Sequence, residues 1–194
     1  MNQKNSKAAV WVAEAALLLA LLAVVQLLTF AIPKSVPIVS QLFTGSLVNM
    51  VLIVGAGTVG LSGTAVAAIA SPLLAYAFGQ MTFPQMIPVV AVGNLILVIA
   101  LWFFLRPVAG PWASGTGRGI LGIIVGAAAK TAFLWGATVW VILPMFFAGK
   151  ASAAKKLSMM FSWPQAVTAV IGGILALLVL PAIRTYRKKR KGNV

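Results

Sequence analysis

The chain has no cysteine and no histidine, and among its 194 residues there is a single acid, Glu14. Without cysteine there is no disulfide, no thiol nucleophile and no thiolate metal site. Without histidine or a second carboxylate, Ser-His-Asp triads, carboxylate pairs, HExxH zinc sites and carboxylate-bound magnesium are all excluded as self-contained sites. A hydrolase or ATPase working from this chain alone is not expected, and no cofactor is called for. Charge is scarce as well. Only 8% of residues are charged and 61% are hydrophobic, whereas soluble domains are about a quarter charged and about 45–50% apolar. So little polar surface cannot cover a water-soluble fold, and lipid is the expected solvent.

What charge there is has one sign. A net charge of +14 would suit nucleic acid, but six of the 15 basic residues stand together in "RTYRKKRK" and most others lie in short connections. A basic run beside an apolar segment sets topology or meets anionic lipid, so no nucleic-acid partner is expected. The N-terminus has a basic start and an apolar run, like a signal peptide. The run is longer than the usual h-region of about 7–15 residues and more apolar segments follow, which marks a retained first helix.

A hydrocarbon core about 30 Å thick needs about 20 apolar residues of helix. Cutting at Pro, Gly and polar clusters yields a single-domain, all-α integral membrane protein. Its six transmembrane helices fall at about residues 8–32, 42–61, 64–78, 86–105, 119–147 and 166–183, with a basic tail over 184–194. "LSGT" reads as the turn between spans two and three, and "RPVAGPWASGTGR" as the longest polar connection. Span three is short, and Ser71-Pro72 is expected to kink it, with a neighbouring helix re-satisfying the freed carbonyl. Placing both termini in the cytoplasm puts ten basic loop and tail residues inside and four (Lys34, Lys150, Lys155, Lys156) outside, as the positive-inside rule requires. The cell membrane is the expected location.

Small residues recur at helical spacing: Ala9, Ala13, Ala16 and Ala20 in span one, Gly122 and Gly126 in span five. Such patterns let helix backbones approach closely in lipid, either inside the bundle or against a partner subunit. Glu14 lies on the first span near its cytoplasmic end, where a carboxylate can reach the interface.

The remaining polar side chains gather toward the outer half. Gln41, Thr44 and Ser46 begin span two, with Asn49 deeper; Gln80, Thr82 and Gln85 precede span four, which carries Asn94; Gln165 opens span six. Lys130, Thr131, Trp135 and Thr138 lie in span five. The distribution is that of a pocket open outward, although asparagines also serve as plain helix–helix hydrogen bonds. Lys130 stands out, because a lipid-facing cation at mid-membrane costs about 2.5–3.5 kcal/mol on insertion scales and either surface is several turns away. It either plugs a kink or lines a cavity that meets an anionic or carbonyl-rich ligand.

The stretches "QLFTGSLVNMVLIVGAGTVGLSGTAVAAIASPLLAYAFGQ", "PQMIPVVAVGNLILV" and "FSWPQAVTAVIGG", on a chain of six spans with a small-residue face on the first, resemble the substrate-binding S component of an energy-coupling factor (ECF) vitamin transporter. The resemblance implies high-affinity capture of a water-soluble vitamin from outside, without ATPase activity. It also implies docking on a membrane scaffold subunit joined to two cytoplasmic ATPases, with toppling of the S component carrying the ligand inward. It assigns Ala9, Ala13, Ala16 and Ala20 to scaffold docking and residues 33–40 to a lid. Substrate contacts are expected from Lys130, Asn49, Asn94, Gln41, Thr44, Gln85, Trp135 and Thr138. Cationic thiamine finds little to pair with, since the one acid lies near the cytoplasmic end. Cobalamin, with its amide rim and phosphate, is the leading ligand, and pantothenate, a small carboxylate suited to one lysine, is the alternative. A stand-alone secondary transporter would carry internal repeats and coupling acids at mid-membrane, and none is evident. A membrane enzyme lacks the residues for chemistry.

Overall fold

A computed structural model describes residues 3–32, 37–106 and 115–192. These residues are almost wholly helical and include no strand. Helix α1 spans Gln3–Leu28 and ends in a 3-10 turn, Thr29–Ala31. It is followed by α2 (Pro37–Thr58), α3 (Leu61–Ala77), α4 (Met86–Leu105) and α5 (Gly115–Ala137). α5 continues through a π-helical segment, Thr138–Ile142, into the single turn α6, Leu143–Phe146. Pro144, just beyond the π segment, has no N–H to continue an α ladder, and the wide turns lie immediately before it. Helices α7 (Ala151–Met160) and α8 (Trp163–Gly192) complete the chain.

Five segments are long and apolar enough to cross a membrane, and α3 is a shorter apolar helix of 17 residues. The protein therefore has the build of a membrane-spanning helical bundle. Its outward face carries large side chains such as Leu17, Val24, Phe103, Ile124 and Leu178, all exposed, as lipid-facing positions should be.

Three local features depart from the sequence reading. The reversal between α2 and α3 falls at Val59 and Gly60, not over "LSGT", whose residues form the first turn of α3. Gly60 takes φ 97°, a left-handed conformation that a side chain resists. The connection over residues 148–165 contains a helix, α7. The basic tail is a continuation of α8 as far as Gly192. Residues 33–36 of the expected lid and 107–114 of the longest connection lie outside the described residues.

α2 packs most extensively on α8 and α4 on α5. Glycines set both approaches. A Cβ at Gly172 of α8 would lie 2.5 Å from the Ser46 carbonyl oxygen and 2.8 Å from Asn49 Cβ, so the α2 and α8 backbones nearly touch there. Gly122 and Gly126 of α5 abut Phe104, Leu101 and Leu97 of α4, an internal contact. Close approach of backbones is how helices adhere in lipid, where burial of apolar surface gives no net drive. α1 presents Ala15, Leu18, Leu22 and Val25 to this core, while Ala9, Ala13, Ala16 and Ala20 are exposed on its other side. A second apolar cluster joins Met86, Leu134, Phe147, Leu157 and Phe161. There Phe83 meets Phe147 edge-on at 5.1 Å. This cluster fastens α7 across one end of the bundle.

Candidate ligand site: a buried lysine under a polar cavity

The site begins with a missing hydrogen bond. Pro72 lies inside α3 and has no N–H to donate to the carbonyl of Ala68, one turn back. An amide on α4 takes that place: Asn94 Nδ2 donates to Ala68 O at 3.4 Å. With its NH2 so engaged, Asn94 turns Oδ1 to Lys130 Nζ, which donates to it at 2.8 Å.

A parallel chain of bonds runs on the other side. Thr168 of α8 donates its hydroxyl to Gln165 O at 3.0 Å, leaving a lone pair on Oγ1 that accepts from Asn49 Nδ2 at 3.2 Å. Asn49 Oδ1 then accepts from Lys130 Nζ at 2.7 Å. The orientation of each amide is set by its outer partner. Flipping either one would bring an NH2 against an ammonium, donor against donor. Lys130 is thus held by two carbonyl oxygens from α2 and α4, and all three side chains are buried, at 3%, 2% and 2% exposure. Two of the ammonium's three N–H donors are used by these bonds.

Above this cluster lies a cavity of about 470 Å³, within the range of about 300–1,000 Å³ typical of small-molecule clefts. Lys130, Asn49 and Asn94 belong to its lining. The walls come from the start of α2 (Ser40, Gln41, Thr44), the end of α3 (Ser71, Pro72, Ala75), residues 79–83, and the start of α4 (Met86, Val90). α7 adds Lys156, Leu157 and Met160. Asn49 lies eight positions after Gln41, and at 1.5 Å per residue the pocket extends about 12 Å along α2. Two amides tie the rim to α7: Gln41 Nε2 donates to Met160 O at 2.6 Å and Gln165 Nε2 to the same oxygen at 3.2 Å. The Thr44 and Thr29 hydroxyls hydrogen-bond each other at 2.5 Å, joining α2 to the end of α1.

Of the residues singled out from sequence, Lys130, Asn49, Asn94, Gln41 and Thr44 line the cavity, as do Gln80, Thr82 and Gln165. Gln85, Trp135 and Thr138 do not. Trp135 is 43% exposed and packs edge-on against Trp140 at 5.7 Å on the outer face. It follows Lys130 by five residues, about 140° round a helix of 3.6 residues per turn, so the two cannot share a face. Thr138 is buried in the π segment, and Gln85 sits beside the pocket with its Oε1 buried. Among the described residues α7 lies against the cavity; residues 33–36 of the expected lid lie outside them, and of the rest of that stretch Ser40 lines the wall.

Four contributors escaped the sequence reading: Gln26, Ser71, Thr168 and Lys156. Gln26 is buried in the cavity wall with Oε1 unpartnered among the described residues. Its signal was there, since Leu18, Leu22, Val25 and Thr29 at helical spacing place Gln26 on the inward face of α1. Glu14, the chain's one acid, is not among the lining residues. The pocket is therefore lined by two lysines and many amides and hydroxyls, with no carboxylate. Compared with known proteins, the chain matches no family model, no curated protein and no solved structure.

Proposed function

We propose that this protein is the substrate-binding membrane subunit of an importer of the energy-coupling factor type, capturing a small anionic vitamin from outside the cell. The observation that carries the reading is the cation Lys130, buried at the base of a polar cavity whose lining holds no acid. A buried charge is tolerated only when it is paired and hydrogen-bonded. Two neutral carbonyl oxygens offer dipoles but no counter-charge, and an anionic ligand completes the pairing. Charge-assisted bonds to such a ligand are short and about twice as strong as neutral ones.

The proposed membrane protein crosses six times, with α3 as the short span and both termini in the cytoplasm. Arg106, Arg118 and Arg184 then lie together at the inner end, opposite the cavity mouth. That arrangement agrees with the positive-inside rule. The exposed stripe of Ala9, Ala13, Ala16 and Ala20 supports a docking face for a membrane scaffold subunit, with two cytoplasmic ATPases supplying the energy that this chain has no residues to supply. The cavity volume favours a carboxylate of the size of pantothenate. A corrinoid, bulkier than a drug-sized molecule, would need α7 displaced from the mouth.

Protein purified from cells grown in rich medium and analysed by mass spectrometry tests the reading. A retained water-soluble carboxylate, released by Lys130→Met without loss of the folded state, is the expected result. A cationic ligand, or affinity untouched by Lys130→Met, would overturn it.

A further inference from the structure

Gln26 is the one cavity-wall side chain whose buried polar atom has no partner among the described residues. A buried acceptor left unmade costs about 1–3 kcal/mol, and few native side chains carry that burden without a reason. The helix neighbours offer nothing to it. Gln80 Nε2 donates at 3.4 Å to the backbone oxygen of Gln26, not to its side chain, and the hydroxyls of Thr29 and Thr44 bond each other and Val25 O. Gln26 and Lys130 come from different elements of the lining: α1 packs on α2 and α3, while α5 packs on α4 and α8. Lys130 likewise has one N–H beyond its two asparagine partners.

From these two unfilled groups we infer that the site reads its ligand at two points, a carboxylate at Lys130 and a hydroxyl donor at Gln26. The ligand class is an elongated monocarboxylate bearing a hydroxyl several bonds from its acid. The lining also holds apolar side chains, Val48, Pro72, Met86 and Val90, which suit an aliphatic middle. A simple fatty acid would satisfy Lys130 and strand Gln26, and a site built to hydrogen-bond a ligand group discriminates strongly against an analogue lacking it. This inference rests on the anionic-ligand reading above and adds the second contact and the orientation of the ligand, acid at Lys130.

The full chain in lipid nanodiscs, titrated by calorimetry with two probes, tests it. One probe is pantothenate, which has an acid, an amide and two hydroxyls. The other is the same molecule with both hydroxyls replaced by hydrogen. Wild type should bind pantothenate about tenfold more tightly than the hydroxyl-free probe, the effect of about one hydrogen bond. In Gln26→Leu that preference should vanish, with the hydroxyl-free probe binding as in wild type. Gln26→Met serves the same purpose if the leucine variant does not fold. Equal weakening of both probes, or an unchanged preference, makes Gln26 a structural residue and overturns the two-point reading alone. Failure of wild type to bind either acid overturns the anionic-ligand reading and this inference with it.

Discussion

At the scale of single residues, the site is governed by where each amide's NH2 is anchored. Thr168 and the Ala68 carbonyl freed by Pro72 hold the outer ends of Asn49 and Asn94, so both inner oxygens reach Lys130. Thr168→Val keeps the shape but removes the acceptor, leaving a buried NH2 without a partner. Stability should fall by about 1–3 kcal/mol, while Thr168→Ser should stay near wild type; equilibrium unfolding in mixed detergent reads both. Asn94→Leu removes a bond to a charged group and should lose about 1.5–3 kcal/mol. Adding Lys130→Met to it should cost less than Lys130→Met does alone, because the partner is already gone. Strict additivity in that double-mutant cycle would show that the two side chains act separately. Lys130, Asn49 and Asn94 were legible in the sequence because a charge or amide amid apolar spans must find a partner inside. Their mutual pairing was not, since it depends on which faces of three helices meet. Trp135 was misjudged because depth along span five was weighed without its rotation about the helix axis.

At the scale of elements, glycine placement decides the packing. Gly172 and Gly117 are both helical, yet a Cβ at Gly172 would strike the Ser46 carbonyl and one at Gly117 meets nothing within 4 Å. Gly172→Ala should push α8 off α2, at about 1–3 kcal/mol, and loosen the Asn49–Thr168 bond beside it. Gly117→Ala should be neutral or stabilising by up to about 1 kcal/mol, the helix-propensity difference. Thermal unfolding of the two variants, with ligand affinity measured alongside, checks the contrast; equal effects would mean that the α2–α8 approach has slack. The main helices could be read from apolar runs cut at Pro and Gly, because lipid leaves the backbone few other options. α7 could not. Its buried residue Leu157 and exposed lysines lie within a stretch of mixed polarity too short and polar for a span, and its helix is held by tertiary contacts with Phe147, Phe161 and Met86.

At the scale of the whole molecule, two faces serve two proposed tasks. The end covered by α7 holds the cavity, and the side of α1 turned away from the core carries the alanine stripe with Val12, Leu17 and Val24 around it. The core-facing side of α1 is separate, formed by Ala15, Leu18 and Leu22. Changes to the stripe should therefore leave the pocket intact. In lipid a smooth small-residue face gains by packing against another helix at close range, and a bulky side chain there removes the fit without exposing anything polar. Ala16→Trp with Ala20→Trp should bind ligand as wild type does when the chain is purified alone. Expressed with the proposed scaffold and ATPase subunits, the same variant should no longer co-purify with them, and the proposed vitamin uptake should fall to background. Retained assembly would move the docking face elsewhere on the bundle, whereas loss of ligand binding by the solitary variant would mean that α1 couples stripe to pocket through Gln26 and Thr29, which project from its other side.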